Sequence, residues 1–464
     1  IDGRPAPPLS DGRAVGAPTL LQMLKRMHAA GGRLDWARLT AAAERHARNG
    51  IPITARTAAA LGRIYFPING AGDRIFGGSG PKAQPAGTVV RNPDLADVLA
   101  AIGRDGADVL SGGVVGRNIV EALREPDWPG RTLTLDELAR AEPSVVPPAC
   151  VALPFAGLCA PPSPTLGPTA LEAVSLFLAA VPPAPDAFTW ANTLTQAHRL
   201  AIADANRYLG DPRHVVDLMP DLLTTARIGR RARMISQTRV GGLPAAERLS
   251  HAPPDLIATP SHRRLPPVGS IIVVDGEGDA VALSLTLSQP FGSGIISRGV
   301  VLNAANASFD APPPRPGYRH ANAIGPGRRP RLDVSPVMAL DQDRRLLLAA
   351  TSGGGDDAPA FLAKTVVAAL GLQKSAASAV AAPNVSSANR MTDLERMTIA
   401  ERLKEPLEDI GHHVRVRPLD SGLLAIVRGP DGAFAAAADP RGDGAARVKA
   451  PADAPALDSP KRGS

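Results

Sequence analysis

Few residues in this chain have the type and spacing of a ready-made reaction centre. The nine histidines include no His-x-x-x-His or His-Glu-x-x-His pair, so no helix face presents two imidazoles to a metal. His412 and His413 are adjacent and precede the strand-like run Val414 to Val416. Neighbours on a strand point to opposite faces, so these two read as partly exposed side chains and not as ligands. There is no phosphate-cradling loop and no Gly-x-Ser-x-Gly elbow. The glycine run Gly353-Gly354-Gly355 reads as a tight turn before a helix. Cys150 and Cys159 are the only cysteines, which excludes a disulfide scaffold and a cysteine-rich zinc site. They flank the hairpin-like stretch Val151 to Leu158; two buried free thiols are the preferred reading over a cross-strand disulfide.

Composition narrows the class. With 464 residues the chain can form one large domain or two to three ordinary ones. Lys plus Arg is 51 and Asp plus Glu is 44, a net charge of +7. That excess is small and unclustered, which argues against a dedicated nucleic-acid binder. An aromatic content of 3% leaves little for base stacking. The 44% of hydrophobic residues can fill a core, and no apolar run reaches the ~18 residues that span a bilayer, so a soluble chain is expected. The 47 prolines and 45 glycines imply many stiff connections. The chain starts at Ile1 and shows no signal peptide, and its true N-terminus is expected to lie upstream.

Helices and strands alternate along the chain. Apolar spacing predicts helices over Thr19–Ala30, Leu34–Arg48, Asn92–Gly103, Gly116–Leu123, Leu135–Ala141, Leu171–Ala180 and Asn192–Tyr208, each with a stripe facing a core. Near Pro266 the character changes. Ser270–Val274 and Ala280–Leu287, joined by Asp275-Gly276-Glu277-Gly278-Asp279, predict a hairpin. Its β-branched residues suit burial on both faces at the centre of a sandwich. Gly299–Asn303, Val337–Leu340, Arg345–Thr351, Val414–Val416 and Leu423–Val427 read as further strands. Ala358–Leu370 and Met391–Ile410 read as helices, and 449–464 as a disordered tail.

Several stretches, in order, resemble the γ-glutamyltransferase family (γ-glutamyl transpeptidase, glutathione hydrolase). They are Ile1-Asp2-Gly3-Arg4-Pro5-Ala6-Pro7, Asn92-Pro93-Asp94-Leu95-Ala96, and Leu133 to Ala139. The most distinctive is Ala203-Asp204 followed by Arg207-Tyr208-Leu209-Gly210-Asp211-Pro212. Later come Val273-Val274-Asp275, Phe291-Gly292-Ser293-Gly294, Gly327 to Pro330 with Ser335-Pro336, Gly429 to Gly432, and Ala438 to Arg441. The resemblance covers about residues 1 to 445, and the family's first strands would precede Ile1. It implies an α+β fold, an αββα sandwich of the N-terminal-nucleophile hydrolase type. Residues 1–265 would be large-subunit-like and 266–448 small-subunit-like, within one structural domain. Such proteins cut themselves, and the new N-terminal Thr becomes the nucleophile with its own α-amine as base.

Residue by residue, the implied site is degraded. Anchoring on Val273-Val274-Asp275 puts Val268 at the nucleophile position, and a valine has no lone pair with which to attack a carbonyl. Ser270 is a weak substitute about 6–7 Å further along the strand. The family's arginine for the glutamyl α-carboxylate matches Arg4. The positions that grip the α-ammonium read Ser288 and Ser308. Asp333 stands where a serine helps hold the carboxylate, and its charge would repel that group. Gly354 and Gly355 match the oxyanion glycines. The basic cluster Gly327-Arg328-Arg329-Pro330-Arg331 falls on a family stretch, so a packed loop is favoured over an anion site.

No cofactor and no metal is implied. The resemblance implies a small amino-acid-like ligand, a homologous partner chain, and a periplasmic or secreted bacterial-type location. The leading functional expectation is an unprocessed family member, inactive or function-shifted toward γ-glutamyl substrates. The alternatives are an active γ-glutamyl hydrolase or transferase with a rearranged site, and a noncatalytic partner of an active homologue.

Overall fold

A computed structural model describes residues 11–63, 70–77, 83–124, 132–259, 268–388 and 390–449. The first part of the chain is mainly helical. It contains α1 (Leu20–Gly31), α2 (Trp36–Asn49), α3 (Ala55–Gly62), α4 (Gly70–Phe76), α5 (Pro93–Asp105), α6 (Gly113–Ala122) and α7 (Leu135–Arg140). A short ladder joins β1 (Ile51–Pro52) to β2 (Val89–Val90). Local chemistry sets these ends. Asn92 caps α5 by accepting from the Leu95 N–H, with Pro93 in the first turn and Gly106 ending it at φ +88°. Thr134 and Glu137 form a reciprocal capping box on α7.

The main sheet is built from both halves of the chain. Its strands are β3 (Ala149–Leu153) and β4 (Ala156–Ala160) from the first half, and β9 (Val337–Leu340), β10 (Leu346–Thr351), β14 (Leu424–Arg428) and β15 (Phe434–Ala438) from the second. They run in the order β15-β14-β10-β9-β4-β3, every pair antiparallel. Against one face lie α8 (Gly167–Ala180) and α12 (Ala358–Val366), with α9 (Ala187–Tyr208) behind them. Leu158, Leu171, Val174, Phe177, Leu348 and Phe361 belong to the core cluster of these layers. Further along are α10 (Met219–Leu222), α11 (Thr225–Ala232), α13 (Ala376–Ala381) and α14 (Lys404–Asp409).

The other face carries the hairpin β5 (Val268–Val274) and β6 (Ala280–Thr286), which packs on β10 and β14. β7 (Ile296–Ser297) pairs with β8 (Val300–Val301). A second sheet, β11 (Val385–Ser386), β12 (Met391–Glu395) and β13 (His413–Arg417), is mixed, with β12 parallel to β13.

Five expectations are corrected here. The hairpin is not buried on both faces: Val268, Ser270, Ile272 and Val274 alternate inward, whereas Ile271, Val273 and Val281 remain 55%, 54% and 41% exposed. The outer face of the hairpin is thus partly open to solvent. Met391–Ile410 is not one helix. Its first five residues form β12, in register from Met391 opposite His413 to Glu395 opposite Arg417, and only Lys404–Asp409 is α-helical. The Thr392 hydroxyl bonds the buried His412 ring at 2.8 Å, which draws that segment into the sheet; His412 is therefore buried, not partly exposed. The α1 stripe does not face a core, since no α1 or α2 residue is buried and Leu20 and Met27 are exposed. Finally, Cys150 and Cys159 are directly opposed on β3 and β4 and form a disulfide. The expected tail lies outside the described residues apart from Lys449.

Two polar features of the core carry measurable consequences. Glu172 of α8 and Asp204 of α9 are fully buried, and Glu172 Oε2 and Asp204 Oδ2 lack other partners. A proton on Glu172 satisfies both oxygens. Burial, and then the Asp204 charge, push the Glu172 carboxyl well above its usual range. Asp204 meanwhile faces the Arg231 guanidinium at 3.0 Å. The folded chain thus holds this proton more tightly than the unfolded one. The associated stability is complete below the ordinary carboxyl value of 4.5 and declines as pH rises toward the folded value. Glu172→Gln keeps a donor for Asp204 without titrating. Its urea midpoint should gain on that of the wild type as pH is raised from about 5 to about 8. Separately, Cys150→Ser with Cys159→Ser should lower unfolding stability by about 2–3 kcal/mol, the loop-closure value for so short a loop. Urea unfolding of the wild type with and without dithiothreitol checks this independently.

Candidate functional site

The end of the hairpin meets the glycine run. Val268 opens β5 opposite Thr286 of β6. A Cβ placed on Gly353 would lie 3.5 Å from the Val268 carbonyl oxygen and 3.6 Å from Gly422 Cα. A Cβ on Gly422 would come within 3.3 Å of the Gly353 backbone, and Gly422 sits at φ +53°, a conformation that favours glycine. Val268 therefore stands beside the glycine run, with a hydrocarbon side chain on the inward face. Ser270 shares that face, and its hydroxyl lies 3.3 Å from the Ser284 hydroxyl across the hairpin. That contact offers no basic group to activate it.

The two candidate oxyanion donors differ. The Gly354 N–H is taken by the Ser352 hydroxyl at 3.3 Å, and that hydroxyl donates to the Ser421 carbonyl at 2.9 Å. Gly355 lies at φ +56°, where a side chain would be strained, and among the described residues its N–H makes no hydrogen bond. Gly355 also opens the turn that carries Asp356 and Asp357 toward α12.

Asp356 leads to the strongest charge in the region. The Arg331 guanidinium, only 4% exposed as a residue, bonds Asp356 through Nη2 and Asp333 Oδ1 through Nε at 2.7 Å. Its Nη1 reaches Asn206 Oδ1 on α9 at 3.4 Å. Its backbone N–H donates to Asn322 Oδ1 at 2.8 Å, and the Asn322 amide donates to the Ser308 carbonyl at 2.7 Å. Burial opposes the Arg331 charge, but Asp356, Asp333 and Asp310 together hold its pKa above the ordinary arginine value. Asp310 accepts from the Thr259 hydroxyl at 2.6 Å.

This changes the reading of two predicted residues. Asp333 does not stand as an unmet negative charge awaiting a substrate carboxylate, because Arg331 meets it. Arg331 is a buried hub and not part of a loop cluster. Ser308 joins the network only through its backbone and Asn322. Ser288 lies just past β6, near the same hairpin end as Val268, at φ +69° with its N–H on the Thr286 hydroxyl. Asparagine tolerates that left-handed backbone better than serine. Arg4 falls outside the described residues. The structure thus brings Val268 to the glycine run and links Gly355, Asp356, Arg331 and Asp333. Sequence reasoning missed Arg331, Asp356 and Asn322. The available signal was Arg331-x-Asp333, two opposite charges on the same side of an extended segment.

Among the described residues, the one cluster with metal-like spacing is Asp275, Glu277 and Asp279 in the exposed hairpin turn. Asp275 Oδ1 there accepts the Glu277 and Asp279 N–H groups, as turn carboxylates do.

Comparisons with known proteins bear on this geometry. The gamma-glutamyltranspeptidase family model matches residues 2–448. Mouse glutathione hydrolase 7 is 26% identical over 422 residues, covering 87% of this chain and 60% of that protein. The oxamate amidohydrolase proenzyme of Klebsiella pneumoniae is 26% identical over 439 residues, covering 90% of this chain and 76% of that protein. The chain spans about 60% of the length of the glutathione hydrolase 7 relatives it matches. Among solved structures, a cephalosporin acylase from Bacillus halodurans superposes with a TM-score of 0.80 at 21% identity, covering 95% of this chain and 79% of that one. The fold is accordingly the α+β, N-terminal-nucleophile hydrolase type.

The Arg331 network sets an expected outcome. Arg331→Leu leaves Asp333 and Asp356 buried without their cation. Breaking a buried pair in this way costs roughly 3–5 kcal/mol. Urea unfolding should show that loss. Arg331→Leu combined with Asp333→Asn and Asp356→Asn should recover part of it.

Proposed function

From the premise that this chain belongs to the gamma-glutamyltranspeptidase family, we propose that it remains one unprocessed chain and has lost or shifted turnover of γ-glutamyl substrates. The observation that carries this reading is Val268 beside the glycine run, where the family reading places the nucleophile. Self-cleavage and acyl transfer both begin with a hydroxyl or thiol attacking a carbonyl, and valine supplies neither. Losing an activated nucleophile costs about a million-fold in the subtilisin case.

The binding groups support a shift. Ser288 and Ser308 replace the amide and carboxylate that would grip an α-ammonium. Each lost charge-assisted contact removes roughly 1.5–3 kcal/mol. Two such losses reduce binding by about two to four orders of magnitude. One relative is named for oxamate and a structural neighbour for cephalosporin, so the family scaffold is associated with more than one amide substrate. The division into a large-subunit-like 1–265 and a small-subunit-like 266–448 belongs to the same proposal. So does a periplasmic or secreted location. The cross-strand disulfide suits an oxidising compartment, and among the described residues no helix is long and apolar enough to cross a membrane.

A denaturing gel of the purified full chain should show one band near 47.9 kDa. Two stable fragments meeting at a Ser or Thr between 259 and 270, in protein made without proteases, would overturn the proposal. Val268→Thr with Gly269→Thr should not restore γ-glutamyl anilide hydrolysis in a steady-state assay. Robust turnover by that double variant would mean that the pocket is still a glutamyl site.

A further inference from the structure

A pocket lies along the C-terminal half of α9, next to the Arg331 network through Asn206. Its cavity is about 280 Å³. The floor is one helical stripe, Arg199, Ile202, Ala203, Asn206 and Arg207, spaced by threes and fours. Leu243 to Ala246 and Thr259 form its walls. The two arginines are eight residues apart, so their backbones stand about 12 Å apart along the axis.

Neither arginine has a carboxylate partner among the described residues, which sets this pocket apart. Arg199 is 8% exposed. Its Nη2 donates to the Gly242 carbonyl at 2.9 Å and the Gly241 carbonyl at 3.4 Å, and its Nε has no hydrogen-bond partner. Arg207 packs over the Tyr208 ring at 5.4 Å, and its Nε is likewise buried without a partner. Other buried arginines of the fold are neutralised: Arg231 by Asp204, and Arg331 by Asp333 and Asp356. The Arg199 charge is felt locally. Burial, and then Arg199, lower the neighbouring His412 to about 4. A buried guanidinium without an anion is costly unless one arrives from solution.

We propose that this pocket binds a small linear dicarboxylate, one carboxylate at Arg199 and the other at Arg207, with its methylene body against Ile202 and Leu243. Guanidinium groups match the planar fork of a carboxylate. The volume falls just under the range of roughly 300 Å³ upward for drug-sized ligands, which favours a short molecule. The apolar wall gives a methylene chain an advantage over a bare, strongly hydrated inorganic anion. Its lining does not include Val268, so binding here neither requires nor excludes acyl transfer.

Isothermal titration calorimetry of the whole chain tests it, with adipate, hexanoate, hexanamide and inorganic phosphate as probes. Adipate should bind at one saturable site, hexanoate more weakly, and hexanamide and phosphate more weakly still. Arg199→Gln should weaken adipate roughly tenfold or more, and Arg207→Gln should reduce adipate to the level of hexanoate. Arg199→Lys keeps the charge and should retain part of the affinity. Arg207 is only partly buried, so its variant keeps the test valid if Arg199→Gln fails to fold. Absence of saturable adipate binding up to roughly 10 mM would overturn the proposal. So would phosphate binding as tightly as adipate, or adipate affinity unchanged in Arg207→Gln.

Discussion

The Gly353 N–H donates to the Ser421 carbonyl at 2.8 Å, and this backbone bond ties together the turns that carry the glycine run and the start of β14. There the turn after β10 and the turn before β14 come within contact of each other and of the first residue of β5. A side chain on Gly422 would press on the Gly353 backbone at 3.3 Å and be strained at φ +53°. The contact fixes where β5 begins in space, and so where residue 268 stands relative to the glycine run. It also sets the course of Gly355 and Asp356, whose turn delivers the chain into α12. The helical layer on the far face of the sheet follows from that delivery, since α12 packs against both α8 and α9.

From the same turn, a buried charge network extends into the core. Arg331 joins Asp356 from the glycine turn to Asp333, and through Asn206 to α9 and Asn322 to the Ser308 segment. A buried guanidinium with two carboxylates in contact and a third nearby is stable only as a set, because each member left alone would be a desolvated charge. Asp333 and Asp356 therefore answer to Arg331 before any ligand, and Val268, beside the glycine run, adds only a hydrocarbon side chain.

Much of the fold was legible from residue spacing because the signals were local. Asn92-Pro93 marks the start of α5, and the Asp275–Asp279 turn identifies the β5–β6 hairpin, since capping and turn chemistry act within a few residues. The failures share one cause. Met391–Glu395 becomes a strand because His413–Arg417, twenty residues later, pairs with it in parallel. Burial of α1 was expected from its stripe, but a stripe states only that one face is apolar and not that a partner covers it. The disulfide needed the β3–β4 register, in which Cys150 falls directly opposite Cys159. At the site, the placing of Val268 at the start of a strand was readable because Val273-Val274-Asp275 ends that same strand run. Arg331 was not, because its partners come from three separate segments and burial decides their meaning.

The buried cations of this fold divide according to how their charge is met, and that division separates structure from recognition. Arg331 and Arg231 each have carboxylates supplied by the chain, and such sets rigidify the core without asking anything of solvent. Lys364 is held by carbonyls and an amide, and burial lowers its pKa to about 7, so it can relieve the cost by losing its proton. Arg199 has neither escape. Guanidinium does not deprotonate in proteins, and its protein partners are two loop carbonyls. A chain that elsewhere pairs its deeply buried arginines with carboxylates, yet leaves this one facing a cavity, has kept a charge whose natural complement is external.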